Sequence, residues 1–220
     1  MKIDNSKAKL LLHVCCACCA TEVYNRLKDD YEVTLFWYNP NIYPLEEYQK
    51  RLDSFIKLSD DLKCDSLICH SREDGNLLLV DPRVTRLGQT KPRSGLKPED
   101  DRIWEIENQK WQTVISGLKD ELEGGKRCEK CYRFRLEQTD KVAKENGFDI
   151  FTTTLTISPH KNAGIINQIG KEIATKNNID YLESDFKKQD GFKKSIELSH
   201  KHNLYRQNYC GCKYSIRPSK

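Results

Sequence analysis

Ten cysteines stand in this 220-residue chain, and eight of them fall into three tight groups. Cys15, Cys16, Cys18 and Cys19 fill four of five consecutive positions. Cys128 and Cys131 form a C-x-x-C, and Cys210 and Cys212 flank a single glycine. Cys64 and Cys69 stand apart and are expected to be structural. Thiols three residues apart share a helical face, so Cys128 and Cys131 can hold one metal centre. A helix N-terminus and the neighbouring Lys126, Arg127 and Arg133 would favour their thiolates. Cys210 and Cys212 can bind one metal, bridge two, or close a strained, redox-active disulfide. Gly211 between them relieves the backbone. Free cysteines also serve as small buried hydrophobes, but four in five positions point to a site. If the three groups converge, about six to eight thiolates meet, more than a tetrahedral zinc takes. A 4Fe-4S cluster takes four, leaving a surplus for a second metal or a redox dithiol. The residues favour an iron–sulfur enzyme over a zinc structural site.

Composition supports that reading. Hydrophobic residues make up 37%, aromatics 9% and charged residues 32%, which describes a globular protein. A chain of this length buries roughly 70% of its unfolded surface and needs no disulfides to fold. No apolar run approaches the ~20 residues of a membrane helix, and Leu10–Val14 is too short for a signal peptide. The expected location is cytoplasmic, with no membrane partner. Clustered cysteines in a reducing compartment signal metal or redox chemistry. Net charge is +4 overall, but residues 186–220 hold nine Lys or Arg against two acids. A basic end on a mildly acidic body fits nucleic-acid contact and fits a solvated helix about equally.

The elements that must position the thiols alternate in period. Lys9–Val14, Glu32–Tyr38, Asp65–Cys69, Ile150–Ile157 and Asp180–Glu183 read as strands. Helical spacing marks Ala20, Val23, Tyr24 and Leu27, then Leu45, Tyr48, Leu52 and Phe55. It continues over Trp104–Leu122, over Tyr132, Leu136, Val142 and Ala143, and over Ile165, Ile166, Ile169 and Ile173. Residues 71–98, rich in Gly, Pro and basic side chains, read as a loop-rich insertion. Alternating β and α units predict a parallel sheet with helices on both faces. Ligands in such folds sit at the carboxyl ends of strands, where Cys15–Cys19 fall. No G-x-G-x-x-G, Walker A or pyrophosphatase loop is present, so no ATP or NAD site is expected.

Five segments together carry a family resemblance. They are His13-Val14-Cys15-Cys16-Ala17, Tyr38-Asn39-Pro40-Asn41-Ile42 and Gly125-Lys126-Arg127-Cys128-Glu129-Lys130-Cys131-Tyr132-Arg133-Phe134-Arg135-Leu136. The fourth is Thr152-Thr153-Thr154-Leu155 with Ser158-Pro159-His160-Lys161-Asn162, and the fifth is Tyr205-Arg206-Gln207-Asn208-Tyr209-Cys210-Gly211-Cys212. The combination resembles the QueH-type epoxyqueuosine reductases over nearly the whole chain. The resemblance implies one Rossmann-like α/β domain over 1–220, of the ATP-pyrophosphatase (HUP-like) group, with about five strands. It implies reduction of the epoxide of epoxyqueuosine in tRNA, a 4Fe-4S cluster and an additional mononuclear iron. Cys15, Cys16, Cys128 and Cys131 match its cluster motifs. Cys210 and Cys212 match its C-G-C, as a redox disulfide or as ligands near the second iron. The family usually has Pro and then Cys or Asp after Cys-Cys-Ala. Here Cys18 replaces the Pro and has no assigned role, while Cys19 is an extra iron ligand.

Removing the epoxide oxygen needs two electrons, two protons and an external electron donor. Tyr132, Tyr209 and Cys212 are candidate proton donors. A single-stranded loop of tRNA is read by stacking and phosphate contacts. Lys187, Lys188, Lys193, Lys194 and Arg206 could supply the latter, as could Arg83, Arg86, Lys91 and Arg93. Trp37, Tyr38 and His13 fit a core better than a site, and His160 fits a site or a helix cap. Two other classes use the same cysteines: an iron-free thiol–disulfide oxidoreductase, and a zinc-stabilised tRNA-binding protein without catalysis.

Overall fold

A computed structural model describes residues 7–71, 77–80 and 98–216. Six strands form one sheet in the order β4-β3-β2-β1-β5-β6. They are β1 (Lys9–His13), β2 (Glu32–Trp37), β3 (Ser66–Ser71), β4 (Leu77–Val80), β5 (Ile150–Thr153) and β6 (Asp180–Tyr181). Five run parallel, matching the expected strands; β4 pairs antiparallel with β3 at one edge. Leu10, Leu11 and Leu12 are fully buried, as a central parallel strand covered on both faces requires.

Alternation along β1 sends its side chains into two different cores. Leu10, Leu12 and Val14 join Val23 and Leu27 of α1 (Ala17–Leu27) and Leu52 and Phe55 of α2 (Leu45–Leu62). Leu11 joins Leu136 and Val142 of α4 (Lys126–Glu145) and Ile166, Ile169 and Ile173 of α5 (Ala163–Asn177). α3 (Pro98–Val114) packs against β3 and α4, and α6 (Gly191–Lys201) against α1.

The structure departs from the sequence reading in four places. The strand expected over Ile150–Ile157 stops at Thr153 and tightens into a 3-10 turn over Thr154–Ile157, where the Thr153 hydroxyl accepts the Leu155 N–H. The helix expected over Trp104–Leu122 starts at Pro98 and ends at Val114, and Gly117 beyond it takes a φ of +78°. A sixth helix, α6, lies in the basic C-terminal stretch. Within 71–98, residues 77–80 are strand rather than loop; Arg83, Arg86, Lys91 and Arg93 lie outside the described residues.

Gly170 shows how tightly α5 seats on the sheet. A Cβ there would lie 2.4 Å from the Tyr181 ring, which is fixed by a 3.1 Å bond to Asn167 Oδ1 and by Phe151 beneath it. Alanine gains ~1 kcal/mol over glycine in a helix, but overpacking a fixed ring costs about 1–3 kcal/mol. Gly170→Ala is therefore expected to lower stability, read as a lower urea midpoint with an unchanged slope. A raised midpoint would show that Tyr181 yields.

Candidate metal and redox centre

The first thiol group sits where the sheet changes direction of growth. From β1 the chain builds outward through β2 and β3, then returns to place β5 on the other side of β1. β1 ends at His13, and Cys16 is the extended N-cap residue of α1, its side chain making no capping bond. The Thr154 hydroxyl, just past the end of β5, holds this turn. Cys15 N–H donates to Thr154 Oγ1 at 3.0 Å, and the Thr154 hydroxyl donates to Cys15 Sγ at 3.3 Å.

The sulfurs of Cys15, Cys16 and Cys19 lie within 4.8 Å of one another, close enough to share one ion. The thiols of Cys16 and Cys19 donate to Cys15, and Lys161 and Arg135 add positive charge. Together these outweigh burial and hold the Cys15 pKa well below its usual value. The same sharing pushes Cys16 and Cys19 upward. Cys18 points elsewhere: its Sγ donates to Tyr205 O at 3.2 Å, joining α1 to the C-terminal segment.

The second group begins α4. Gly125 is its N-cap, and Cys128 Sγ accepts the Gly124 N–H at 3.2 Å. Cys128 is half-buried and Cys131 buried. Burial raises both pKa values, opposed for Cys128 by the Gly124 N–H and for Cys131 by Arg135. The third group is the C-G-C. Cys212 packs with Cys131, Trp111 and Ile115, and burial pushes its pKa up to about 12. Cys210 lies close enough to Cys128, Cys131 and Cys212 to act on each electrostatically.

One buried ion pair anchors the C-G-C. Arg51 and Glu47 of α2 pair at 2.6 Å. Arg51 also donates to the carbonyls of Tyr209 and Cys210, both at 3.1 Å, and lies 5.0 Å over the Tyr209 ring. Glu47 accepts the Tyr205 hydroxyl at 2.7 Å. Gly211 takes a φ of +112°, and a Cβ there would lie 2.8 Å from Arg51 Nη1, so only glycine fits.

The first and third groups meet at a cavity of about 270 Å³ lined by Cys15, Cys19, Cys210, Arg135, Lys161 and Arg51, among others, while Cys128 and Cys131 lie near Cys210 outside that lining. Burial disfavours the Lys161 ammonium, but Cys210, Cys15, Tyr132 and Cys19 outweigh it and raise its pKa. Arg135, buried, donates to Asn39 Oδ1 at 2.5 Å, and Asn39 in turn donates to the Val14 carbonyl at 2.8 Å. The thiol-lined cavity thus carries buried Arg51 and Arg135 and half-buried Lys161.

Of the other sequence candidates, Tyr209, His160 and Arg206 line the cavity. Tyr132 is buried on α4. His160 is not the helix cap: Asn162 Oδ1 accepts the Gly164 and Ile165 amides instead. His13 is a satisfied core residue. A carbonyl can only accept, so Nε2 donates to Tyr38 O at 3.3 Å and Nδ1 accepts the Thr153 hydroxyl at 2.8 Å. Burial, then Arg135, lower its pKa to about 3. Trp37 and Tyr38 are core residues, as are Cys64 and Cys69. Lys188, Lys193 and Lys194 are exposed. Lys187 pairs with Asp185 and donates to Lys161 O at 3.2 Å. Sequence reasoning assigned no role to Arg51, Glu47, Lys161 or Thr154. The i,i+4 spacing of Glu47 and Arg51 was the available signal for that pair.

Fold and site define an α/β protein of Rossmann-like topology with a thiol centre at its switch point. The chain matches the family described as epoxyqueuosine reductase QueH over residues 10–77 and 83–218. It belongs to that family, which is one of oxidoreductases. It is 33% identical over 207 residues to the epoxyqueuosine reductase QueH of Thermotoga maritima, covering 94% of this chain and 90% of that one. It is 32% identical over 212 residues to that of Staphylococcus epidermidis, covering 96% and 78%, and 32% identical over 214 residues to that of Streptococcus pyogenes, covering 97% and 72%.

Removing the anchor leaves Glu47 buried without its cation. Arg51→Ala is expected to cost about 3–5 kcal/mol, measured by urea unfolding, and to speed thiol labelling of Cys210. Unchanged labelling would show that Arg51 does not hold the C-G-C.

Proposed function

We propose that the protein is a cytoplasmic epoxyqueuosine reductase that converts epoxyqueuosine in tRNA to queuosine. Two electrons and two protons enter, both C–O bonds of the epoxide break, an alkene forms and water leaves. The observation carrying this reading is that Cys15, Cys19 and Cys210, from opposite ends of the chain, line one cavity beside Lys161, with Cys128 and Cys131 close to Cys210. We read residues 1–220 as one iron–sulfur reductase domain carrying an insertion at 71–98.

The donor set fits iron–sulfur ligation. Among the described residues, the set close enough to share an ion, Cys15, Cys16 and Cys19, is all thiol, and soft donors of this kind select iron–sulfur clusters or zinc. Cys15, Cys16, Cys128 and Cys131 are the proposed cluster ligands. Cys19, Cys210 and Cys212 are left for an additional iron or a redox dithiol. When bound, such a centre supplies electrons one at a time and a Lewis acid toward the epoxide oxygen.

The chain's own residues do the rest. Lys161 offers its ammonium where negative charge develops on the departing oxygen. Arg135 fixes the end of β1 through Asn39, and the Arg51–Glu47 pair fixes the C-G-C. Tyr209 lines the cavity, but its hydroxyl already donates to the Tyr43 carbonyl, so Lys161 is the better-placed source of positive charge. Exposed Lys188, Lys193, Lys194 and Arg206 supply phosphate contacts for the anticodon loop. With no nicotinamide or flavin fingerprint in the sequence, electrons come from an external donor.

Anaerobic purification should yield about four or five irons and four sulfides per chain, broad visible absorbance, and turnover of epoxyqueuosine-containing tRNA. Cys128→Ala should lose the cluster absorbance. Stoichiometric zinc without sulfide, persisting after anaerobic reconstitution with iron and sulfide, would instead mark a zinc-stabilised RNA-binding protein. A colourless dithiol that titrates without iron would mark a thiol–disulfide oxidoreductase. Lys161→Met should keep the spectrum and lower turnover roughly 100-fold or more, as removal of one preorganised charge-stabilising group does elsewhere. A wild-type rate would remove Lys161 from the reaction.

A further inference from the structure

The corner where Cys131 and Cys212 meet holds more buried hydrogen-bond donors than acceptors. Trp111 Nε1, Arg127 Nε, Arg135 Nε and the Tyr214 hydroxyl are buried there without a partner. Among the unpaired buried side-chain atoms of the described residues, Trp111, Arg127 and Arg135 supply every one that can only donate. Trp111 and Tyr214 pack against the two thiols, with ring centroids 6.3 Å apart. The Arg127 guanidinium stacks 5.2 Å over the Tyr214 ring. Trp111 N–H pulls on the Cys131 thiol without forming a well-aligned hydrogen bond to it. Native cores leave few such donors unpaired, so several at one corner call for an acceptor. A bare metal ion has no lone pairs to offer. Inorganic sulfide and cluster thiolates have several.

We propose that Trp111 and Tyr214 are positioning residues that donate hydrogen bonds to the sulfur atoms of a cluster seated against this corner, raising its reduction potential. This rests on the iron–sulfur reading above. A hydrogen bond to cluster sulfur favours the reduced, more negative state, so its removal lowers the potential. Both rings also wall this corner, and phenylalanine preserves that wall while deleting the donor.

The test uses the full chain, loaded anaerobically, with iron and sulfide assayed in every sample and the potential followed by electron paramagnetic resonance. Trp111→Phe and Tyr214→Phe should retain iron and sulfide yet titrate at lower potential. At the wild-type midpoint, the reduced-to-oxidised ratio should fall roughly two- to tenfold for each bond removed. Trp104→Phe is the control, because its N–H donates to Ile42 O at 3.1 Å, and its potential should match wild type. Full sulfide with an unmoved midpoint in both test variants would overturn this proposal alone. Wild-type protein without sulfide would overturn it together with the iron–sulfur reading. Should either variant lose its iron, wild-type protein carrying 15N-indole tryptophan decides: nitrogen hyperfine coupling to the reduced cluster supports the proposal, and its absence overturns it.

Discussion

The parallel pairing of β1 with β5 is the constraint on which the site depends. It sets His13 opposite Thr153, so Cys15, two residues beyond the one, and Thr154, one residue beyond the other, leave the sheet close together. Thr154 can then bond both the amide and the sulfur of Cys15. Thr153 meanwhile satisfies His13 and starts the 3-10 turn that ends β5. Two adjacent hydroxyls thus terminate one strand and aim the cysteine that follows the other. Without this pairing, the N-terminal cysteines would fall on an ordinary strand-to-helix turn with no wall opposite them.

Bringing thiols together creates a charge problem that the surrounding elements solve with buried cations. A thiolate removed from water needs a counter-charge or hydrogen-bond donors. Cys15 has both, in Lys161, Arg135 and the thiols of Cys16 and Cys19. The cations need partners too. Arg51 has Glu47 and two carbonyls, Arg135 has Asn39, and Lys161 has the thiols themselves. Lys161, like Arg135, has no carboxylate among these partners, and of the three cations it alone depends on sulfur. A carboxylate there would compete with any anion forming in the cavity, so its dependence on sulfur keeps its charge directed at the site.

Much of this was legible in the chain because burial leaves a periodic trace. All five parallel strands could be read from apolar runs such as Leu10–Val14 and Val33–Trp37, and helix α4 from Leu136, Val142 and Ala143. The site's address was legible for the same reason: the cysteines begin where the first apolar run ends. What stayed hidden has no period. β4 is four residues inside a Gly- and Pro-rich stretch, and an edge strand that short leaves too little alternation to see. Arg51 reads as one more charge on an amphipathic helix until the fold sets the C-terminal segment, 158 residues beyond it, against its guanidinium. Lys161 was visible only as one residue of a motif. Its role depends on Cys15 and Cys210, which come near it only in three dimensions.

The two ends of the thiol centre differ chemically, and the difference comes from their neighbours. Around Cys15, Cys16 and Cys19 the sulfurs satisfy one another, one accepting from the other two, and threonine completes the set. Around Cys131 and Cys212 the sulfurs are few and the unpaired donors several: the Trp111 indole, the Tyr214 phenol and the Nε atoms of Arg127 and Arg135. The first end is close to self-sufficient, and an ion entering it would displace protons from Cys16 and Cys19. The second end is short of acceptors, as a site made for a ligand bearing sulfur or negative charge would be. A chain holding only structural zinc would have no use for such an asymmetry. A reductase that must both bind an oxygen and feed it electrons has a use for each end.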